Sequence, residues 1–121
     1  MQKELLAIIE YGGYPDFSSL YEKNGYAVTT MNNMRKVIQY LKKYQPDVIV
    51  AEFNFQSDFR DRTSSLESLL AVTQRSPDIR VVIFYDAEYQ PQFEKLLTQY
   101  EIYRAMAFPI SEEELAQAIQ N

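Results

Sequence analysis

Two carboxylates, Glu10 and Glu52, each close an apolar run: Leu5-Leu6-Ala7-Ile8-Ile9 before the first and Val48-Ile49-Val50-Ala51 before the second. Runs of this length and branching read as strands buried on both faces. In an open α/β sheet, ligands bind in the crevice at the carboxyl ends of the strands, so both acids are expected there. Two carboxylates alone make an incomplete cage for a hard divalent cation, and neither a metal nor a cofactor is expected. The chain has no His and no Cys. That removes the commonest general base, the usual nucleophile pairings and nearly all zinc sites, so no enzymatic activity is expected.

The elements that must position these acids follow from periodicity. After Tyr11-Gly12-Gly13-Tyr14, Pro15 suits a first helical position, and Phe17, Leu20 and Tyr21 fall on one helical face. Asn24-Gly25 stops that helix, and Tyr26 to Met31 is a second strand. Asn33 is placed to cap a second helix with Met34, Val37, Ile38 and Leu41 as its apolar stripe. Pro46 ends it, and the central strand follows. Phe53 to Thr63 is a long loop in which Phe53, Phe55 and Phe59 alternate with polar residues, to pack on the domain or to meet a partner. Leu66, Leu69, Leu70 and Thr73 mark a third helix, and Val81 to Tyr85 a fourth strand. Phe93, Leu96, Leu97 and Tyr100 mark a fourth helix, and Tyr103 to Ala107 a fifth, weaker strand. Ser111-Glu112-Glu113-Glu114 is a capping box opening a last helix that buries Leu115, Ala118 and Ile119. Strands alternating with helices imply a parallel sheet covered on both faces, with strand order 2-1-3-4-5 favoured.

The 121 residues suit one domain, 1–121, with one core. A net charge of −5 argues against a nucleic-acid partner, with the basic residues read as dispersed, and against an anionic membrane surface. No apolar segment is long enough for a signal-peptide core or a membrane span, so a cytoplasmic location is expected. Ten Tyr and seven Phe without a Trp are more aromatics than a small core hides.

Over nearly its whole length the chain resembles the receiver domain of two-component response regulators. The residues that carry the resemblance are Pro46-Asp47-Val48-Ile49-Val50-Ala51 before an acid, Pro77 before the fourth strand, and Phe108-Pro109-Ile110 before an acidic helix start. It implies a doubly wound α/β (βα)5 fold, flavodoxin-like and CheY-like, and a cytoplasmic signalling role. Receivers carry an acidic pair after the first strand, a phospho-acceptor Asp after the third, Thr or Ser after the fourth and Lys after the fifth. Glu10-Tyr11, Glu52, Tyr85 or Asp86, and Phe108 stand at those positions here. The aromatic switch position of the fifth strand is Ala105.

Phosphoryl transfer to a carboxylate needs Mg²⁺, a cation and a hydroxyl around the transferred group. Phe108 supplies no cation, and Tyr85 is expected to fill the space a phosphoryl group needs. Glu52 sets its carboxylate about one methylene beyond an Asp, and misplacement of ~1 Å can cost ~10²-fold in rate. The resemblance therefore implies a pseudo-receiver that binds a protein partner or a second copy. The family face made by the fourth helix, fifth strand and fifth helix holds the candidate contacts Tyr89, Tyr103, Phe108 and Ile110. Glu52 is read as a solvated remnant of a lost site. The alternatives are a receiver held in one state by Glu52 and a small-molecule sensor using a crevice lined by Glu10, Tyr11, Glu52 and Tyr85.

Overall fold

The computed structural model describes residues 3–9, 15–53 and 65–120. Its centre is β3 (Val48–Glu52), every residue of which is buried. β1 (Lys3–Ile8) and β4 (Arg80–Tyr85) flank it, and β2 (Tyr26–Met31) and β5 (Arg104–Ala107) are the edges, so the five-stranded sheet has the order β2-β1-β3-β4-β5. All four pairings are parallel. The favoured strand order is the one observed.

Side chains alternate across a strand, so the apolar runs feed two separate cores. Leu6, Ile8, Ile49, Ala51 and Ile83 face one layer, where they meet Val37 of α2 (Met34–Leu41), Leu66, Leu69 and Leu70 of α3 (Ser65–Thr73), and Phe93 and Leu96 of α4 (Gln90–Leu97). Leu5, Ala7, Val48, Val50, Val82 and Phe84 face the other. There they meet Tyr21 of α1 (Ser18–Lys23) and Leu115, Ala118 and Ile119 of α5 (Glu112–Ile119). Each buried Val, Leu or Ile side chain contributes about 1.5–3 kcal/mol by leaving water. This two-sided burial explains why the strands read as unbroken apolar runs.

Local signals set the helix ends. Asn33 accepts from the Lys36 amide at 3.2 Å, and Ser111 from the Glu114 amide at 3.3 Å, as their spacing requires. Gly25 takes φ +91°, a conformation costly for residues with a Cβ, and so turns the chain from α1 into β2. Pro15, expected at a first helical position, lies outside α1. The helix starts at Ser18 because Asp16 Oδ1 accepts from both the amide (2.9 Å) and the hydroxyl (2.6 Å) of Ser18, which holds the preceding residues in a turn. At the other end of the chain α4 stops at Leu97, so Tyr100, expected on its stripe, lies beyond it. Leu97 itself is exposed. β5 buries only Met106.

The end of the sheet where the strands begin is fastened by one guanidinium. Arg80 donates to the Gln120 carbonyl at 2.7 Å, to the Tyr26 hydroxyl at 2.8 Å and to the Ile119 carbonyl at 3.3 Å. The Tyr26 hydroxyl in turn donates to the Ile119 carbonyl. The Arg80 guanidinium also lies 5.4 Å from the centre of the Tyr103 ring. The last carbonyls of α5, which have no partner within the helix, are satisfied in this way.

Candidate functional site

Glu52 ends β3 in register with Phe84 and shares the face of Val48 and Val50, which is the α1/α5 side. It is 8% exposed. The expected solvated acid is therefore a buried one, because the α1 layer and Phe84 close over the strand end. Ile8, Asp16, Phe17, Tyr21, Glu52 and Phe84 line a cleft there of about 20 Å³. That is room for about one water, far below the ~300 Å³ of a typical small-molecule site. Phe17 and Phe84 meet edge to face in its wall, with ring centres 5.9 Å apart.

Asp16 is the residue that periodicity alone overlooked. The Ser18 hydroxyl and then the Ser18 amide hold its carboxyl below the usual carboxylate range. Burial, and then the charge of Asp16, push the Tyr21 phenol up. An Asp two residues ahead of a Ser at a helix start was the available signal. Glu10 and Tyr11 lie outside the described residues, as do Phe55 and Phe59 of the long loop. Among the described residues no three acids gather into a metal-binding group.

Tyr85 is not beside Glu52. It takes the side of Val81 and Ile83, where it packs half-buried against the other core and stacks on Phe93 with ring centres 4.5 Å apart at 21°. Phe93 also meets Phe53 at 5.2 Å and 50°. The expectation that Tyr85 fills the crevice is thus corrected: in a strand, side chains one residue apart face opposite layers, so Phe84 occupies the wall and Tyr85 the far side. Asp86 is exposed, and its Oδ1 accepts from the Glu88 amide at 2.9 Å, capping a 3₁₀ turn over Ala87–Tyr89. Phe108 follows β5, its amide donating to the Tyr85 carbonyl at 2.8 Å, and its peptide bond to Pro109 is cis. The ring of Phe108 is 43% exposed.

Of the four candidate contacts on the α4–β5–α5 side, two are turned inward. Tyr89 packs half-buried on the α2/α3/α4 core, and Ile110 on the other. Tyr103 is 54% exposed, and with Phe108 and Leu97 it leaves three large apolar groups on the outside of this edge. A second exposed group stands at the opposite edge. Tyr44 is 56% exposed, and its ring lies 4.9 Å from that of Tyr40. Arg35, Lys36, Lys42 and Lys43, on or just after the same helix, are also exposed, so four of the twelve basic residues gather on one element; the overall acidity of the chain masked this.

No family model matches the chain, and no curated protein matches it. Solved structures do. A response regulator receiver domain protein from Clostridium thermocellum superposes with a TM-score of 0.74 at 15% identity, over 97% of this chain and 90% of that one. The signal receiver domain of an HD domain-containing protein from Pseudomonas fluorescens Pf-5 gives 0.76 at 15%, over 98% and 84%. The chemotaxis response regulator CheY4 of Vibrio cholerae gives 0.73 at 18%, over 98% and 97%. The chain thus has the receiver fold, CheY-like and flavodoxin-like, over nearly its full length.

Proposed function

We propose that this domain is a receiver-like signalling module that acts without phosphorylation, by binding a protein partner or a second copy of itself through the α4–β5–α5 edge. The observation that carries it is Phe108. An apolar ring, 43% exposed, stands at the position where receivers hold a lysine on the phosphoryl group, so the same residue withdraws the cation from the site and adds contact area to the edge. Burial of Glu52 supports the first half, since the cleft beside it on the α1 side has room for only about one water. Tyr103, 54% exposed, supports the second, since tyrosine is favoured at the centres of interfaces.

Incubation with acetyl phosphate and Mg²⁺, read by intact mass, should give no phosphoryl adduct. A stoichiometric adduct lost on Glu52→Gln would end the proposal. Replacing Tyr103 and Phe108 with Ser should weaken self-association in sedimentation, or capture of the partner, by about tenfold or more, the scale of two interface anchors.

A further inference from the structure

Between Glu22 and Asp47 the chain contains Lys23, Arg35, Lys36, Lys42 and Lys43 and not one carboxylate. In a protein of net charge −5, this stretch, which runs from the last residue of α1 through β2 and α2, carries +5, of which +4 lies in and just after α2. From Asp86 to the end of the chain, seven carboxylates stand against two cations, Lys95 and Arg104, a balance of −5. That second stretch builds α4, β5 and α5. The strand order puts β2 and β5 at the two opposite edges of the sheet. The charge of the domain is therefore polarised across the sheet, one edge basic and the other acidic.

Each charged edge also carries exposed aromatic area. On the basic side, Lys36, Tyr40 and Tyr44 follow one another at four-residue spacing and fall on one stripe of the helix surface. Helical hydrogen bonding continues past the end of α2, with the Tyr44 amide donating to the Tyr40 carbonyl at 2.9 Å. Lys36 and Lys43, both exposed, fall seven residues apart on the same side of this segment. Glu4 lies near the base of this face: burial, and then the Glu4 charge, raise the Tyr40 phenol. On the acidic side, Glu112, Glu113 and Glu114 open α5, all exposed, close in sequence to the exposed Phe108.

We infer that the β2–α2 edge, which carries Arg35, Lys36, Lys42, Lys43 and the Tyr40–Tyr44 pair, docks the acidic α4–β5–α5 edge of a second copy of this chain. The inference builds on the edge assigned under the proposed function and names its occupant. Both halves of the match are present on one molecule, opposite in sign, and each edge has exposed aromatic residues. A nucleic acid is disfavoured, because a phosphate backbone reaching α2 would pass within range of the acidic remainder of the domain. The two faces are different surfaces on opposite edges, so the contact is head-to-tail. Unless the rotation between copies closes a ring, such a contact propagates into a filament.

Sedimentation velocity on the whole chain, over a range of concentration and at low and high salt, tests this with four samples. They are the wild type, Lys42→Glu with Lys43→Glu, Glu112→Lys with Glu113→Lys, and an equimolar mixture of the two variants. Wild type should associate with rising concentration, and salt should suppress it, since exposed charges are screened beyond about 8 Å at physiological ionic strength. Each variant alone should associate about tenfold or more weakly, like charges at a contact being strongly unfavourable. The mixture should recover association. Glu112→Gln with Glu113→Gln replaces the second variant if circular dichroism shows that lysines unsettle the start of α5.

Three outcomes overturn the inference. Association that survives Lys42→Glu/Lys43→Glu but is lost in Tyr103→Ser/Phe108→Ser means a two-fold contact between acidic edges, which leaves the proposed function intact. A wild type that stays monomeric throughout removes the second copy as occupant, while the partner form of the proposed function stands on its own tests. Binding of a single-stranded oligonucleotide, lost in Lys42→Glu/Lys43→Glu, with no self-association, assigns the basic edge to nucleic acid.

Discussion

Replacing Arg80 with Met should destabilise the domain by about 2 kcal/mol. The methionine keeps most of the apolar stem, so the loss is confined to what the guanidinium does. Its two hydrogen bonds under 3 Å, to the Gln120 carbonyl and the Tyr26 hydroxyl, would each contribute about 1.5–3 kcal/mol if fully buried. Arg80 is half-exposed, so water replaces part of each, and about 0.5–1 kcal/mol apiece is the appropriate scale. The contact over Tyr103 adds about 0.5 kcal/mol at an exposed site. A cation at the C-terminal end of α5 adds a similar amount through the helix dipole. Arg80→Lys, which keeps the charge but not the fork, should lose about half as much. Urea unfolding followed by circular dichroism measures this, with a lowered midpoint and an unchanged slope as the signature. Because Tyr26 and Arg80 converge on the Ile119 carbonyl, Arg80→Met and Tyr26→Phe should be non-additive in a double-mutant cycle. Arg80→Met within about 0.5 kcal/mol of wild type would refute the fastening role.

Two further perturbations probe the rest of the structure. Phe93→Ala should cost about 3–5 kcal/mol in urea unfolding, the range for deleting a buried ring, and should alter the near-ultraviolet signal of Tyr85 by removing its stacking partner. Asp16 has a carboxyl below its ordinary range, so its folded form favours the ionised state. The stability it contributes is complete above the unfolded carboxylate range, about pH 4, and is lost as pH falls through the lower folded value. Asp16→Asn should flatten the fall of stability with acid in unfolding curves measured below pH 4, and a curve parallel to wild type would count against a stabilising role for the Asp16–Ser18 hydrogen bonds.

The strand order was legible because the signals that set it are local. Unbroken apolar runs separated by helix-length amphipathic segments admit few topologies, and Asn33, Gly25 and Ser111 announce the ends of their elements. What stayed hidden has a common cause. A strand buried on both faces is apolar at every position, so nothing in Val81 to Tyr85 says which residues face α1 and which face α4. The parity of Glu52 and Phe84 against Tyr85 emerges only from pairing β3 with β4. The exposure of Tyr103 and the burial of Tyr89 depend equally on where α4 and β5 finally sit. The Arg80 contacts join residues 54 and 39 positions apart in the chain, a separation no local pattern reports. The basic stretch from Lys23 to Lys43, by contrast, was present in the sequence and cancelled only in the net charge.

Arg80 has a mechanical consequence beyond stability. Tyr26 opens the strand at one margin of the sheet, and Tyr103 immediately precedes the strand at the other. A single guanidinium touches both side chains beneath the last helix. It acts as a cross-brace: the two margins share one tie, and substitutions at Tyr26 and Tyr103 should therefore be non-additive in a double-mutant cycle, the coupling vanishing in Arg80→Met.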